Sequence, residues 1–129
     1  MILDADGVTK VARRDQRIRL MLERLAVERQ AVLVMPLIVV TQALAQGVGE
    51  GAIERVVRSS LTTTGLDMPR VRIAAHLLRD SGTRDVVDTL VCGEALLRVP
   101  SVLITSDPVD MRRLLDEDPR GPRVAVWSV

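Results

Sequence analysis

Phenylalanine and tyrosine are absent from this chain, and aromatic character is confined to one tryptophan. A sheet that binds RNA by stacking bases on aromatic rings is therefore excluded. The interior has to be filled by Val, Leu, Ile, Met and Ala instead. Cysteine is nearly absent too. Cys92 stands alone, which rules out an intrachain disulfide and a Cys-rich zinc site. His76 is the only histidine, so His-rich metal sites fall with it. Neither sign of charge dominates: 18 Lys and Arg against 17 Asp and Glu leave +1. Any nucleic-acid contact must then be a local patch rather than a global field. The longest strongly apolar run, residues 31–41, is too short to span a bilayer and contains Pro36. No charged-then-apolar leader opens the chain, so the expected compartment is the cytoplasm, with no membrane partner.

What is present is an ordinary globular balance, 47% hydrophobic and 27% charged, which argues against wholesale disorder. At 129 residues it reads as a single domain over 1–129. Residues 1–5 read as a short buried strand, and a strand this early is expected to be central. Residues 8–14 can make a short helix. Asp15 suits the N-cap of the next, which runs to about Gln30 with Ile18, Met21, Leu22, Leu25 and Ala26 at steps of three and four. The run AVLVM (31–35) is continuously apolar, as strands buried on both faces are. Pro36 stops it and opens a helix over 37–46.

Glycines at 47, 49 and 51 mark a loop. A helix over 51–60 follows, with Ile53, Val56 and Val57 inward, and then a short strand LTTT (61–64). Residues 68–79 have helical period, with Val71, Ala74, Ala75 and Leu78 on one face. Thr83 fits as N-cap of a helix over 84–98. VLIT (102–105) is a second buried strand, 107–115 is helical, 116–122 is a loop, and RVAVWSV (123–129) is the last strand. This alternation implies an α/β three-layer domain with a parallel sheet, though it does not give the strand order.

In an open parallel sheet, ligands sit beyond the carboxyl ends of the strands. Asp4 and Asp6 follow the first strand there, and Thr105, Ser106 and Asp107 follow VLIT. Asp85 and Asp88, three apart, share a helix face. Asp4, Asp88 and Asp107 can meet at one edge, with Gln42 reaching it from the helix after Pro36. An all-oxygen set of this kind suits Mg²⁺ or Mn²⁺, which would neutralise the mutual repulsion and activate water for phosphate-ester hydrolysis.

Plainer roles compete. Asp85 in a first helical turn is favoured by the macrodipole, and on spacing alone that outweighs ligation. Asp107 before Pro108 is as well suited to N-capping. Asp88 among Val87, Leu90 and Val91 needs a partner or a cation, which makes its functional reading the strongest. Asp6 reads as a turn residue, and Asp110 as a solvated neighbour of Arg113. No G-x-S-x-G surrounds Ser106. His76 reads as a surface or satisfied histidine, and Cys92 as buried and inert.

LDA at residues 3–5, MPLIVVTQALAQG at 35–47, SGTRDVVDTLV at 81–91 and TSDPVDMRRL at 105–114 together resemble the PIN-domain family. More narrowly they resemble the VapC-like toxins of VapBC toxin–antitoxin pairs. The resemblance spans nearly the whole chain, in order; DVVDTLV followed by VLITSDPVDMRRL is its most specific part. It implies a three-layer α/β/α PIN-like domain with a central, mostly parallel sheet of about five strands. The activity implied is a Mg²⁺- or Mn²⁺-dependent endoribonuclease.

On that resemblance, Asp4, Asp88 and Asp107 are the metal ligands. Gln42 falls where the family carries an acid, usually Glu. Asp85 is the extra acid of the DVVD form, and Thr105 or Ser106 supports the site. Gln42 lowers the site's charge by one, which Asp85 can restore. Gln42 and Asp85 would then hold the cation's waters. Arg13, Arg14, Arg17 and Arg84 flank the acidic segments as candidate RNA contacts. The implied partners are RNA, a small antitoxin protein and a second copy of the chain. The rival readings are a catalytically weak or inactive PIN-like binding or regulatory module, and more distantly a phosphatase of small substrates.

Overall fold

The computed structural model describes residues 1–63 and 65–129. The chain runs β1 (Ile2–Leu3), α1 (Ala5–Ala12), α2 (Gln16–Arg29), β2 (Val34–Pro36), α3 (Leu37–Ala45), α4 (Glu50–Arg58) and β3 (Leu61–Thr63). It continues through α5 (Met68–Ser81), α6 (Val86–Leu97), β4 (Ser101–Thr105), α7 (Pro108–Leu115), a 3-10 turn (Gly121–Arg123) and β5 (Val124–Ser128). The five strands form one all-parallel sheet in the order β3-β2-β1-β4-β5. Helices α1 to α4 pack with one another, as do α5 to α7, giving the expected three-layer α/β/α arrangement.

The first strand is central, as a strand held at its terminus should be. Ile2 aligns with Val34 on one side and Leu103 on the other, and Leu3 aligns with Ile104. Ile2, Leu3, Met35, Leu103 and Ile104 are wholly buried, so aliphatic side chains alone fill the core where rings are missing.

Several boundaries differ from the sequence expectation, each for a local reason. β1 ends at Leu3 rather than residue 5 because Asp4 turns the chain and caps α1, which starts at Ala5 instead of Val8. Residues 31–33 lie outside β2, since α2 ends on Gln30 in the left-handed conformation (φ 49°) and the chain must turn back first. Pro36 closes β2 and stands at the N-cap of α3. Asp85, not Thr83, caps α6; the Thr83 hydroxyl instead accepts the Asp85 N–H at 3.2 Å. α5 buries Ala74 and Leu77, whereas Val71 is exposed, so its inward face is rotated from the expected one. Thr64, expected at the end of the third strand, lies outside the described residues.

One charged group is built into this frame. Glu94 is almost fully buried on α6, where its Oε2 accepts from Arg70 Nε at 2.6 Å and its Oε1 from Arg98. Burial pushes the carboxyl up, but the two guanidinium groups outweigh it and hold it below the usual range. Among the described residues, no helix is long and apolar enough to cross a membrane.

Gly121 shows how closely the turn before β5 is packed. A Cβ there would stand 2.0 Å from the Leu115 carbonyl oxygen, a backbone atom with little room to yield. Gly121→Ala is expected to cost at least about 2 kcal/mol through overpacking. Urea unfolding of the two proteins measures it, and equal midpoints would refute the close approach.

Candidate functional site: acids at the carboxyl edge of the sheet

The sheet reverses its winding between β1 and β4, the position where open α/β sheets present a crevice. Asp4 stands just past β1. Its backbone N–H continues the ladder to Ile104 O at 3.1 Å, which fixes the side chain at the crevice. Asp4 Oδ1 accepts from Gly7 N at 2.6 Å, and Oδ2 accepts from Ser106 N at 3.2 Å. Burial raises the Asp4 carboxyl above its ordinary range. The Thr105 side chain and the bonds from Gly7 and Ser106 oppose that rise, and Asp6 adds to it.

Thr105, fully buried at the end of β4, steadies the start of the next segment. Its Oγ1 accepts the Asp107 N–H at 2.9 Å, and its side chain lies close enough to Asp4 to lower that carboxyl. Asp107 caps α7, its Oδ1 accepting from Asp110 N at 3.3 Å. Asp85 caps α6 in the same way, its Oδ1 accepting from Asp88 N at 3.0 Å. The capping roles weighed for Asp85 and Asp107 are therefore real. They use Oδ1 and leave the second oxygen of each carboxylate for another partner.

Asp88 is half-buried in the first turn of α6, and its carboxyl is pushed up to about 6. Burial is the largest cause, followed by repulsion from Asp85, Asp4, Asp107 and Asp110. Asp4, Asp85, Asp88, Asp107 and Asp110 thus form one electrostatic group drawn from β1, α6 and α7. None of them takes part in an ion pair among the described residues. A cleft of about 240 Å³ between α6 and α7 is lined by Asp85, Asp88 and Asp110, with Arg113 on its wall. The donor set is all oxygen and net negative, which fits a hard divalent cation in chemistry and charge. Among the described residues, no three acid, His or Cys side chains are drawn up as a ready coordination shell.

Gln42 is half-buried on α3, and no side-chain hydrogen bond joins it to Asp4, Asp88 or Asp107 among the described residues. The polar link from α3 to α1 comes one turn later, where Gln46 Oε1 accepts the Thr9 hydroxyl at 3.1 Å. Asp6 is not a turn residue. It lies in the first turn of α1 and accepts from the Ser106 hydroxyl. Asp110 carries more weight than its spacing suggested, since it lines the cleft and raises Asp88.

Gly7 was not legible as part of the site. A Cβ there would lie 3.2 Å from Asp4 Oδ1 and 3.3 Å from Ile104 O, so glycine lets the α1 backbone reach that carboxylate. The only available signal was a glycine three residues after the acid. Arg13, Arg14, Arg17 and Arg84 are all solvent-exposed. His76 is satisfied by the Glu117 carbonyl at 3.1 Å and Asp80 at 2.8 Å. Cys92 is wholly buried, and burial, with Asp88 nearby, pushes its thiol far up, as an inert cysteine requires. No family model matches the chain, and no curated protein matches it either.

A carboxyl whose folded pKa lies above its unfolded one stabilises the fold fully only below its ordinary value of 3.8. That stabilisation disappears as the pH rises through about 6. Asp88→Asn cannot ionise and escapes this loss. In metal-free buffer its melting temperature is expected to exceed that of the wild type at about pH 7.5, and the gap to shrink toward about pH 4. Thermal melts across that window check it; a gap independent of pH would refute the raised Asp88 carboxyl.

Proposed function

We propose that this chain is a Mg²⁺- or Mn²⁺-dependent endoribonuclease with a PIN-like domain, the VapC-like toxin of a type II toxin–antitoxin module. The observation that carries the reading is the unneutralised acid group centred on Asp88, whose carboxyl is held up at about 6 by burial and four neighbouring acids. Carboxylates held together against their own repulsion, at the switch point of a parallel sheet, are what a divalent cation would stabilise. Asp4, Asp88 and Asp107 would hold the cation. Mg²⁺ or Mn²⁺, when bound, supplies Lewis acidity to the phosphodiester and lowers the pKa of the attacking water.

The chain's own residues supply position. Gly7 and Ser106 N–H groups orient the two oxygens of Asp4, and the Thr105 hydroxyl positions Asp107 through its N–H. Asp85 carries the charge that Gln42 lacks. RNA, gripped through phosphate rather than stacked bases, is the proposed substrate, with exposed Arg13, Arg14, Arg17 and Arg84 as contacts. A small antitoxin, a homodimer and a cytoplasmic setting complete the proposal.

Gln42 favours one second reading, a PIN-like module with weak or no catalysis. The uncharged amide stands where the resembled family carries an acid, and it takes no part in the hydrogen bonds of the acids among the described residues.

The test is incubation of the antitoxin-free protein with labelled structured RNA and Mn²⁺ or Mg²⁺, with EDTA and Asp88→Asn as controls. Cleavage that disappears in both controls is the expected result. No cleavage, together with no metal-induced rise in melting temperature, would overturn the nuclease reading in favour of the inactive module.

A further inference from the structure

The end of the sheet opposite the acids has the opposite character. A cleft of about 510 Å³ lies at the amino ends of β1, β2, β4 and β5. That volume falls within the roughly 300–1,000 Å³ of small-ligand pockets. Its floor is apolar, made by Ile2, Val34 and Val102, and its rim carries Arg29, Arg98 and Arg123. No Asp or Glu lines it among the described residues. The arginines arrive from separate elements: Arg29 ends α2, Arg98 caps the end of α6, and Arg123 closes the 3-10 turn before β5.

The carbonyl ends of α2 and α6 each attract a cation, which accounts for Arg29 and Arg98 singly. It does not account for Arg123, nor for the convergence of all three on one cleft. Arg98 is held by Glu94. Arg29 and Arg123 are exposed and have no carboxylate partner among the described residues.

We propose that this cleft binds a phosphate monoester, carried on a mononucleotide or at the 5′ end of a short RNA. Guanidinium forks reaching in from several directions match the several oxygens of a tetrahedral dianion better than the two of a planar carboxylate. The aliphatic floor leaves room for the attached group, and with no ring to stack on, base identity is read weakly. The site is independent of the acid group and does not need the ribonuclease reading to be correct.

Calorimetric titration in EDTA tests it, using AMP, adenosine, and a tetraribonucleotide with either a 5′-phosphate or a 5′-hydroxyl. The wild type is expected to bind AMP, the 5′-phosphorylated RNA or both, and neither phosphate-free probe; which one binds identifies the source of the phosphate. The double variant Arg29→Ala, Arg123→Ala leaves the Glu94 ion pairs in place. It is expected to raise Kd by about tenfold or more, with an unchanged melting temperature. Asp88→Asn is expected to bind as the wild type does. Equal binding by the double variant, equal binding of adenosine, loss of binding in Asp88→Asn, or no binding of either phosphorylated probe would each overturn the proposal.

Discussion

The structure depends on a strand of two residues. Ile2 and Leu3 form the middle of the sheet, wholly buried and paired on both sides. Too short to be held by its own ladder, the strand is held by burial and by its continuation into Asp4, whose N–H reaches Ile104 O. That bond places an acid at the sheet's switch point. The helix that Asp4 caps then brings Gly7 against it, and the strand it pairs with delivers Thr105, Ser106 and Asp107 alongside. Core register and site geometry are the same set of contacts. A shift of β1 against β4 would move the acids apart as surely as it would open the core.

Two acids on α6 differ in how the fold treats their charge. Glu94 is surrounded by Arg70 and Arg98 and stays ionised below its usual range. Asp88 has no ion-pair partner among the described residues, and burial with four neighbouring acids raises it. Both sit on α6, six positions apart. The first is neutralised within the protein and ties α5 to α6; the second keeps its repulsion, with no ion pair to offset it among the described residues. Such unrelieved repulsion gathers at functional sites because an external partner can supply the missing charge.

Much of this could be read from residue order. Continuous apolar runs around Val34 and Leu103 announced buried parallel strands. Pro36 marked the β2–α3 junction, and the first strand was expected at the centre, where it lies. Asp88 stood out as a carboxylate among Val87, Leu90 and Val91, and it is the most perturbed acid of the group. The starts of α1 and α6 were misplaced because several polar residues compete for each N-cap. Only the folded chain shows that Asp4 caps α1 and that Asp85 prevails over Thr83 for α6. The Asp6–Ser106 bond and the weight of Asp110 depend on contacts between distant segments, for which local pattern carries no signal. Strand order was equally hidden, since two successive crossovers can run the same way or reverse.

The scarcity of rings has an optical consequence. Trp127 is the only indole, and no tyrosine competes with it. It lies partly buried on the edge strand β5, in register with Ile104 of β4. Intrinsic fluorescence therefore comes from a single point beside the strand whose carbonyl holds Asp4. Emission excited in the near ultraviolet reports the peeling of β5 from that edge, while the aliphatic centre of the molecule stays dark.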